Sequence, residues 1–444
     1  MKLNTRNLTL RGIILLLITS VILFTNVNSQ EKTEQTEFFG SGDRKQGYDS
    51  EKYTTNSLSI TARQGIKADL LEYVNNPMLG LPKVAQPADN IMTKEKIDLG
   101  RLLFFDRRLS LNDTFSCAIC HIPEQGFTSN EITKAVGLEG RSVKRNSPTI
   151  YNVGYYDILF QDGREDTLEQ QAWSPLLAHN EMANPSIGNV INKIKGISSY
   201  DELFEKAFDG KGPTMETVGM ALASYQRALN SGNSRFDQWY YGDDKDALNA
   251  DEIKGFELFT GKAGCSACHL VGDEYALFTD NKLHNTGHGY ATSMGIRPEK
   301  TRVQLAPGVF VDVDTNIIDS VRQQPKINDV GRYEVTQNPY DRWKYRTSIL
   351  RNVALTAPYM HDGGFSTLRE VVEFYNQGGF ENELLSPMIR PLGLNDEETN
   401  QIVDFLNALT GNNVQVLVAD AFAAPIGDIS EKDPNWAHGT KYSE

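Results

Sequence analysis

Cys117-Ala118-Ile119-Cys120-His121 and Cys265-Ser266-Ala267-Cys268-His269 decide how this chain folds, because they are one five-residue unit, C-x-x-C-H, written twice. Together they use all four cysteines of the chain. Two thiols three residues apart can each bond one vinyl group of a single porphyrin. The adjacent histidine then lies under the iron as its proximal axial ligand, so the unit attaches haem c. Two disulfides would suit an exported protein but give no reason for a histidine to follow the second cysteine both times. A four-cysteine zinc site usually keeps its pairs close in sequence, and here 144 residues intervene. A thioredoxin-like pair lacks its βαβ pattern.

Outward from each unit the setting repeats. Gly100-Arg101-Leu102-Leu103-Phe104-Phe105 precedes the first, and Gly255-Phe256-Glu257-Leu258-Phe259 the second. Both read as the end of a helix leading into the loop that presents the cysteines. The glycines read as points of close helix packing, and Asn249 with Glu252 as a capping box. Each half closes with an amphipathic helix. Over 214–229 Val218, Ala221, Leu222 and Tyr225 share a face; over 395–410 Ile402, Phe405, Leu406 and Leu409 do, from Asn395/Glu398 to a stop at Gly411. Strand patterns are sparse, and 272–345 is loop-rich. The expected fold is therefore mostly α: two cytochrome c-like helical modules, each binding one haem c, with long loops. The expected boundaries are a signal peptide over 1–29, an N-terminal extension over 30–86, modules over 87–240 and 241–412, and a C-terminal tail over 413–444. Polar residues 230–246 read as the linker, and 30–60 and 413–444 as loosely ordered tails.

The 444 residues are 39% apolar and 23% charged, which suits a globular protein with a sizeable core. A net charge of −14 disfavours nucleic acid and anionic membranes and suits a basic patch on a small redox protein. Lys2, Arg6 and Arg11 precede an apolar run from Gly12 to Phe24, broken only by Thr19 and Ser20. With Val27 and Ser29 before polar sequence, this describes a secretory signal, with a mature start near Gln30. The alternative is an uncleaved anchor. The run is short for a membrane span and no other segment approaches one, so a periplasmic protein without a stable span is expected.

Several further motifs occur in a characteristic order: LGRLLFFDRRLS, CAICHIPEQGFT, RNSPTIYN, LFQDGREDTLEQQ, NEM, and LRNVALTAPYMHDGGFSTLREVVEFYNQGG. From about Pro87 to Gly411 the chain resembles the bacterial di-haem cytochrome c peroxidase and MauG family. The resemblance implies a peroxide-reactive first haem on His121 and an electron-relaying second haem on His269. Many members carry a further histidine shortly after the first haem motif, released on activation; between His121 and Asn146 there is none, which implies a first iron open from the outset. Glu181 matches the family's distal acid–base residue and Gln171 its hydrogen-bond donor; read alone, they are a surface carboxylate and a solvated helix position. Tyr375 matches the sixth ligand of the second haem, a place held by methionine in many relatives. Met360 is its rival, and a core tyrosine with a hydrogen-bonded hydroxyl is the plain alternative. The resemblance also implies a calcium ion held by the Asn146 side chain and the Thr356 and Pro358 carbonyls, Asn146 otherwise being a turn residue. Gln161 stands where relatives have a bridging tryptophan, with Trp173 nearby in sequence. His179, His284, His288 and His361 read as hydrogen-bonded or surface histidines.

The functional expectation is reduction of hydrogen peroxide to water, with electrons from a small cytochrome c or copper protein. The alternatives are a MauG-like oxidation of a partner protein's side chain and a non-enzymatic di-haem electron carrier. A homodimer is left open.

Overall fold

The computed structural model describes residues 65–296, 300–306, 309–315, 317 and 328–424. The signal sequence expected over 1–29 and His438 lie outside the described residues. The helices that position the two C-x-x-C-H units are α1 (Leu70–Asn75), α2 (Lys94–Phe105), α3 (Met215–Ala228), α4 (Arg235–Tyr240), α5 (Ala250–Thr260), α6 (Leu368–Asn376), α7 (Asp396–Asn407) and α8 (Val414–Phe422). Strands among the described residues are few: β1 (Leu283–His284) pairs antiparallel with β4 (Tyr345–Arg346), and β2 (Lys300–Ala306) with β3 (Val309–Asp314). The β2–β3 hairpin interrupts a stretch expected to be loop.

Two helix pairs form the frame, α2 on α3 and α5 on α7. Each crosses at a glycine. A methyl group at Gly100 would overlap the Ala221 carbonyl oxygen, and one at Gly255 the Gln401 carbonyl oxygen. The Asn249/Glu252 and Asn395/Glu398 capping boxes form at the starts of α5 and α7, satisfying orphan amides there. Behind the helices, Phe104 lies 6.3 Å from the ring of His121 and Phe259 6.4 Å from that of His269.

A second repeat runs at a spacing of 200 residues. Asn152 and Asn352 are left-handed (φ 60° and 62°), as are Phe160 and Met360 (60° and 71°) and Gly163 and Gly363 (65° and 69°). Leu159 bridges Glu165 as Tyr359 bridges Phe365. Thr167 and Thr367 each cap the helix that follows. Through their backbone amides, Asn152 holds the Leu229 carbonyl after α3 and Asn352 the Leu409 carbonyl after α7.

Two expectations are corrected. The stretch 230–246, read as the linker, is not loose throughout: Asn230, Ser231 and Phe236 are fully buried and residues 235–240 form α4, while residues 243–246 are exposed. Within it Ser231 N donates to Asn152 Oδ1 (2.8 Å) and the Ser231 carbonyl accepts from Asn152 Nδ2 (2.9 Å). Nor is 413–424 a loose tail. Val414, Leu417, Val418 and Ala421 bury one face of α8 in the core of the first half, together with Leu70 and Val74 of α1. There Asp420 pairs with the buried Arg101 of α2. The second core centres on Phe236, Phe259, Phe278 and Phe405.

Candidate functional site

Cys117–Cys120 forms one short helical turn, and Cys265–Ala267 a 3-10 turn. None of the four cysteines is in a disulfide. Burial pushes the thiols of Cys117, Cys120 and Cys265 up to about 12 and that of Cys268 to about 11, with the neighbouring cysteine or carboxylates adding to it. Such thiols stay neutral in the unloaded chain, which is compatible with uncharged thioether links. Each following histidine turns Nδ1 to a carbonyl, His121 to Phe127 (3.2 Å) and His269 to Phe278 (2.7 Å). Both acceptors have left-handed backbones (φ 53° and 56°), so the chain is bent to present its carbonyl. With Nδ1 occupied, Nε2 is left for iron, and the ring orientation is fixed.

Beside His121 lies a partly open cavity. Cys117, Cys120, His121 and Phe104 line it, and so do Gln171, Pro175, Glu181 and Met182. The structure thus gathers the attachment residues and both distal candidates around one space. Gln171 ends the short helix Leu168–Gln171, which Thr167 caps. Pro175 follows: it lacks an amide hydrogen and its ring crowds the carbonyl four residues back, so the helical run is broken near Ala172. Glu181 sits in a turn pinned on both sides, its amide on the Ala178 carbonyl (2.9 Å) and its carbonyl taking the Leu138 amide (2.9 Å). Gly137 packs directly against that turn, where a methyl group would overlap the Asn180 carbonyl. Burial raises the Glu181 carboxyl above its usual range, and the Arg164 charge opposes the shift. Pro175, Met182, Gly137 and Arg164 were not singled out from sequence; the 200-residue register would have flagged Pro175.

That register pairs Pro175 with Tyr375. In the second half α6 runs unbroken from its Thr367/Glu370 capping box and carries Tyr375. The Tyr375 hydroxyl lies in a buried setting that senses both Cys265 and Cys268 and takes a hydrogen bond with Thr286; burial first, then those two cysteines, holds its pKa well up. Met360 occupies the left-handed turn before Gly363, the counterpart of Phe160. One position along each half therefore carries a potential iron ligand in the second site and a proline in the first.

Between the halves, Asn146 donates its amide to the His361 carbonyl (2.9 Å) and its Nδ2 to the Thr133 carbonyl (3.0 Å). Gly363 packs on Thr133 and on the Pro358 ring, so Asn146 and Pro358 meet around one turn. The Thr356 hydroxyl donates to the Val353 carbonyl (3.1 Å). Gln161 accepts the Arg346 amide through its carbonyl (2.8 Å). Trp173 is committed to the first core, its indole nitrogen on the Met215 carbonyl (3.2 Å). His361 is stacked on Tyr345 at 3.7 Å, His288 bonds Asp362 (2.8 Å) and His284 bonds Asp280 (2.7 Å).

The profile of the family described as di-haem cytochrome c peroxidase matches residues 94–245. MauG of Methylorubrum extorquens, a methylamine utilization protein, is 35% identical over 73% of this chain and 81% of its own length. A cytochrome-c peroxidase, IdrP1, of Denitromonas iodatirespirans is 37% identical over 75% of this chain and 86% of its own. The chain belongs to the di-haem cytochrome c peroxidase and MauG family. It is accordingly an oxidoreductase of the peroxidase type with two haem c groups. Among solved structures, a MauG-like protein associated with microbial copper homeostasis superposes with a TM-score of 0.62 at 28% identity, over 80% of this chain and 98% of that one. The di-haem peroxidase BthA of Burkholderia thailandensis shares the fold, with a TM-score of 0.58 at 22% identity over 85% and 96%. Among the described residues, no helix of this family member is long and apolar enough to cross a membrane.

Proposed function

We propose that this protein reduces hydrogen peroxide to two waters, taking two electrons from a small cytochrome c or copper protein and two protons from solvent, after export to the periplasm. The observation that carries the reading is the contrast between the two sites: Pro175, Gln171 and Glu181 around the cavity at His121, against Tyr375 at the cysteines preceding His269. Bound haem supplies at each site an iron that can exchange electrons and, where one face is free, take up peroxide. Cys117, Cys120 and His121 hold the first haem, and Cys265, Cys268 and His269 the second.

Pro175 has no donor atom, so the distal face of the first site is left to substrate. Glu181 takes the proton from the inner oxygen of peroxide and returns it to the outer one, which leaves as water. Its raised pKa suits a group that must both accept and release a proton. Gln171 donates a hydrogen bond to the departing oxygen and orients it. Tyr375 would supply an oxygen donor to the second haem, which would favour ferric iron there. Asn146 and the Thr356 and Pro358 carbonyls would be the residues to hold a calcium ion, a hard cation suited to neutral oxygens.

Tyr375 and the absence of histidine between His121 and Asn146 also favour a second reading, in which the reductant is a side chain of a partner protein. The deciding experiment is steady-state turnover of peroxide with reduced cytochrome c or a reduced copper protein. Sustained turnover supports the first reading. Fast single-turnover reaction with peroxide but no sustained turnover supports the second. No reaction with peroxide would leave only an electron carrier and overturn both.

A further inference from the structure

Four arginines are buried among the described residues, and three have carboxylates. Arg101 pairs with Asp420, Arg227 with Glu169, and Arg351 with Asp237. Arg346 is the fourth, 6% exposed, and no carboxylate pairs with it among the described residues. Its Nη1 donates to the Ile158 carbonyl (2.9 Å), its guanidinium lies 3.3 Å from the centre of the Tyr156 ring, and its Nε has no partner. A buried guanidinium left without an anion costs several kcal/mol, more than one carbonyl and one ring offset.

The position indicates what the anion is. Arg346 lies two residues before Ser348, whose backbone bonds the ring of His269. The carbonyl of Thr347 takes the hydroxyl of Thr279, which follows the Phe278 that orients the same histidine. On its other side the Arg346 amide bonds Gln161 of the first half. The cation is thus built into the wall of the second haem site where it abuts the first half. Haem c carries two propionate carboxylates besides its attached vinyl positions. We propose that Arg346 is the counter-ion of a propionate of the second haem, a role that rests on the two-haem reading.

The test uses the haem-loaded protein, with loading of both haems verified by the absorption spectrum; a protein that takes up no haem would fail the two-haem reading itself, separately from this one. Spectroelectrochemical titration of Arg346→Gln should show the second haem harder to reduce, its ferrous-to-ferric ratio at fixed potential falling about tenfold, about 59 mV for one electron. The first haem should move less. Arg346→Lys should stay within about threefold of the parent, while the propionate bending band of the second haem shifts in resonance Raman. Unchanged potentials in the glutamine variant would overturn the proposal. Should that variant not accumulate, the lysine variant decides: an unshifted propionate band overturns it. A parent potential that moves with inorganic phosphate at constant ionic strength would assign the cation to a free anion and overturn it as well.

Discussion

Glu181 and Tyr375 are the two side chains on which the proposed chemistry turns, and burial acts on both. It holds the Glu181 carboxyl above the ordinary glutamate range, so the residue loses its base form on the acid side at a higher pH than a free glutamate would. Glu181→Gln should keep both haems and slow peroxide reduction by at least about tenfold. It should also erase the acid limb of the pH–rate profile. An unchanged rate in stopped-flow measurement would remove Glu181 from the mechanism. Tyr375→Met replaces an oxygen donor by a thioether, which favours ferrous iron. The second haem of that variant should titrate at a higher potential, and an unmoved potential would mean that Tyr375 packs without ligating. Neither role was separable from its plain alternative in the sequence alone. What the sequence lacked was the cavity that joins Gln171 and Glu181 to His121, because their separations of 50 and 60 residues carry no geometry.

The helices were the most legible part. Asn249/Glu252 and Asn395/Glu398 both close as capping boxes, because each is a local exchange of side-chain and backbone bonds that needs no tertiary partner. Gly100 and Gly255 were legible for a related reason: a bare position in an amphipathic helix marks a close crossing. Gly100→Ala gains up to about 1 kcal/mol of helix propensity. It also forces a methyl group onto the Ala221 carbonyl, a backbone atom fixed within α3. Overpacking of that kind costs about 1–3 kcal/mol or more and should win. Chemical denaturation should therefore show Gly100→Ala and Gly255→Ala both less stable than the parent; a stabilised variant would contradict the crossing. Part of 230–246 was misread because polarity stood in for exposure, and 413–424 because it was taken together with the polar residues that follow it. Asn152, Asn352, Ser231 and Asn413 bond one another's chain segments inside the protein. The spacing of Val414, Leu417, Val418 and Ala421 was nonetheless an amphipathic signal in plain view.

Across the whole molecule, buried charge ties distant segments together. Arg351 bonds Asp237 through both oxygens (2.7 and 2.8 Å) and the carbonyls of Gly80 (2.5 Å) and Ala276 (2.7 Å), so one guanidinium joins the N-terminal extension, α4 and the second half. Asp237→Asn should cost on the order of 3–5 kcal/mol, since it strands a buried cation, and a denaturation midpoint within error of the parent would refute that linkage. Acid should weaken the fold in two stages. Burial lowers His361 from 6.5 to about 4, so the unfolded chain binds the extra proton first and stability falls as pH drops through that window. Asp329 beside Arg145, and Asp362 beside His361 and His288, have pKa values held well below the usual carboxylate value; the stability they contribute is present above about pH 4 and is lost below it. A thermal midpoint that stays flat from pH 6.5 to 4 would exclude the first stage. The proposed reading turns on the contrast between Pro175 and Tyr375, which would leave one site open and close the other. Low-temperature EPR of the oxidised, haem-loaded protein, before and after stoichiometric peroxide, tests it most directly. One haem should give a high-spin ferric signal that disappears with peroxide, beside a low-spin signal from the other. Two low-spin signals indifferent to peroxide would mean that both irons are capped, and the protein would then be an electron carrier.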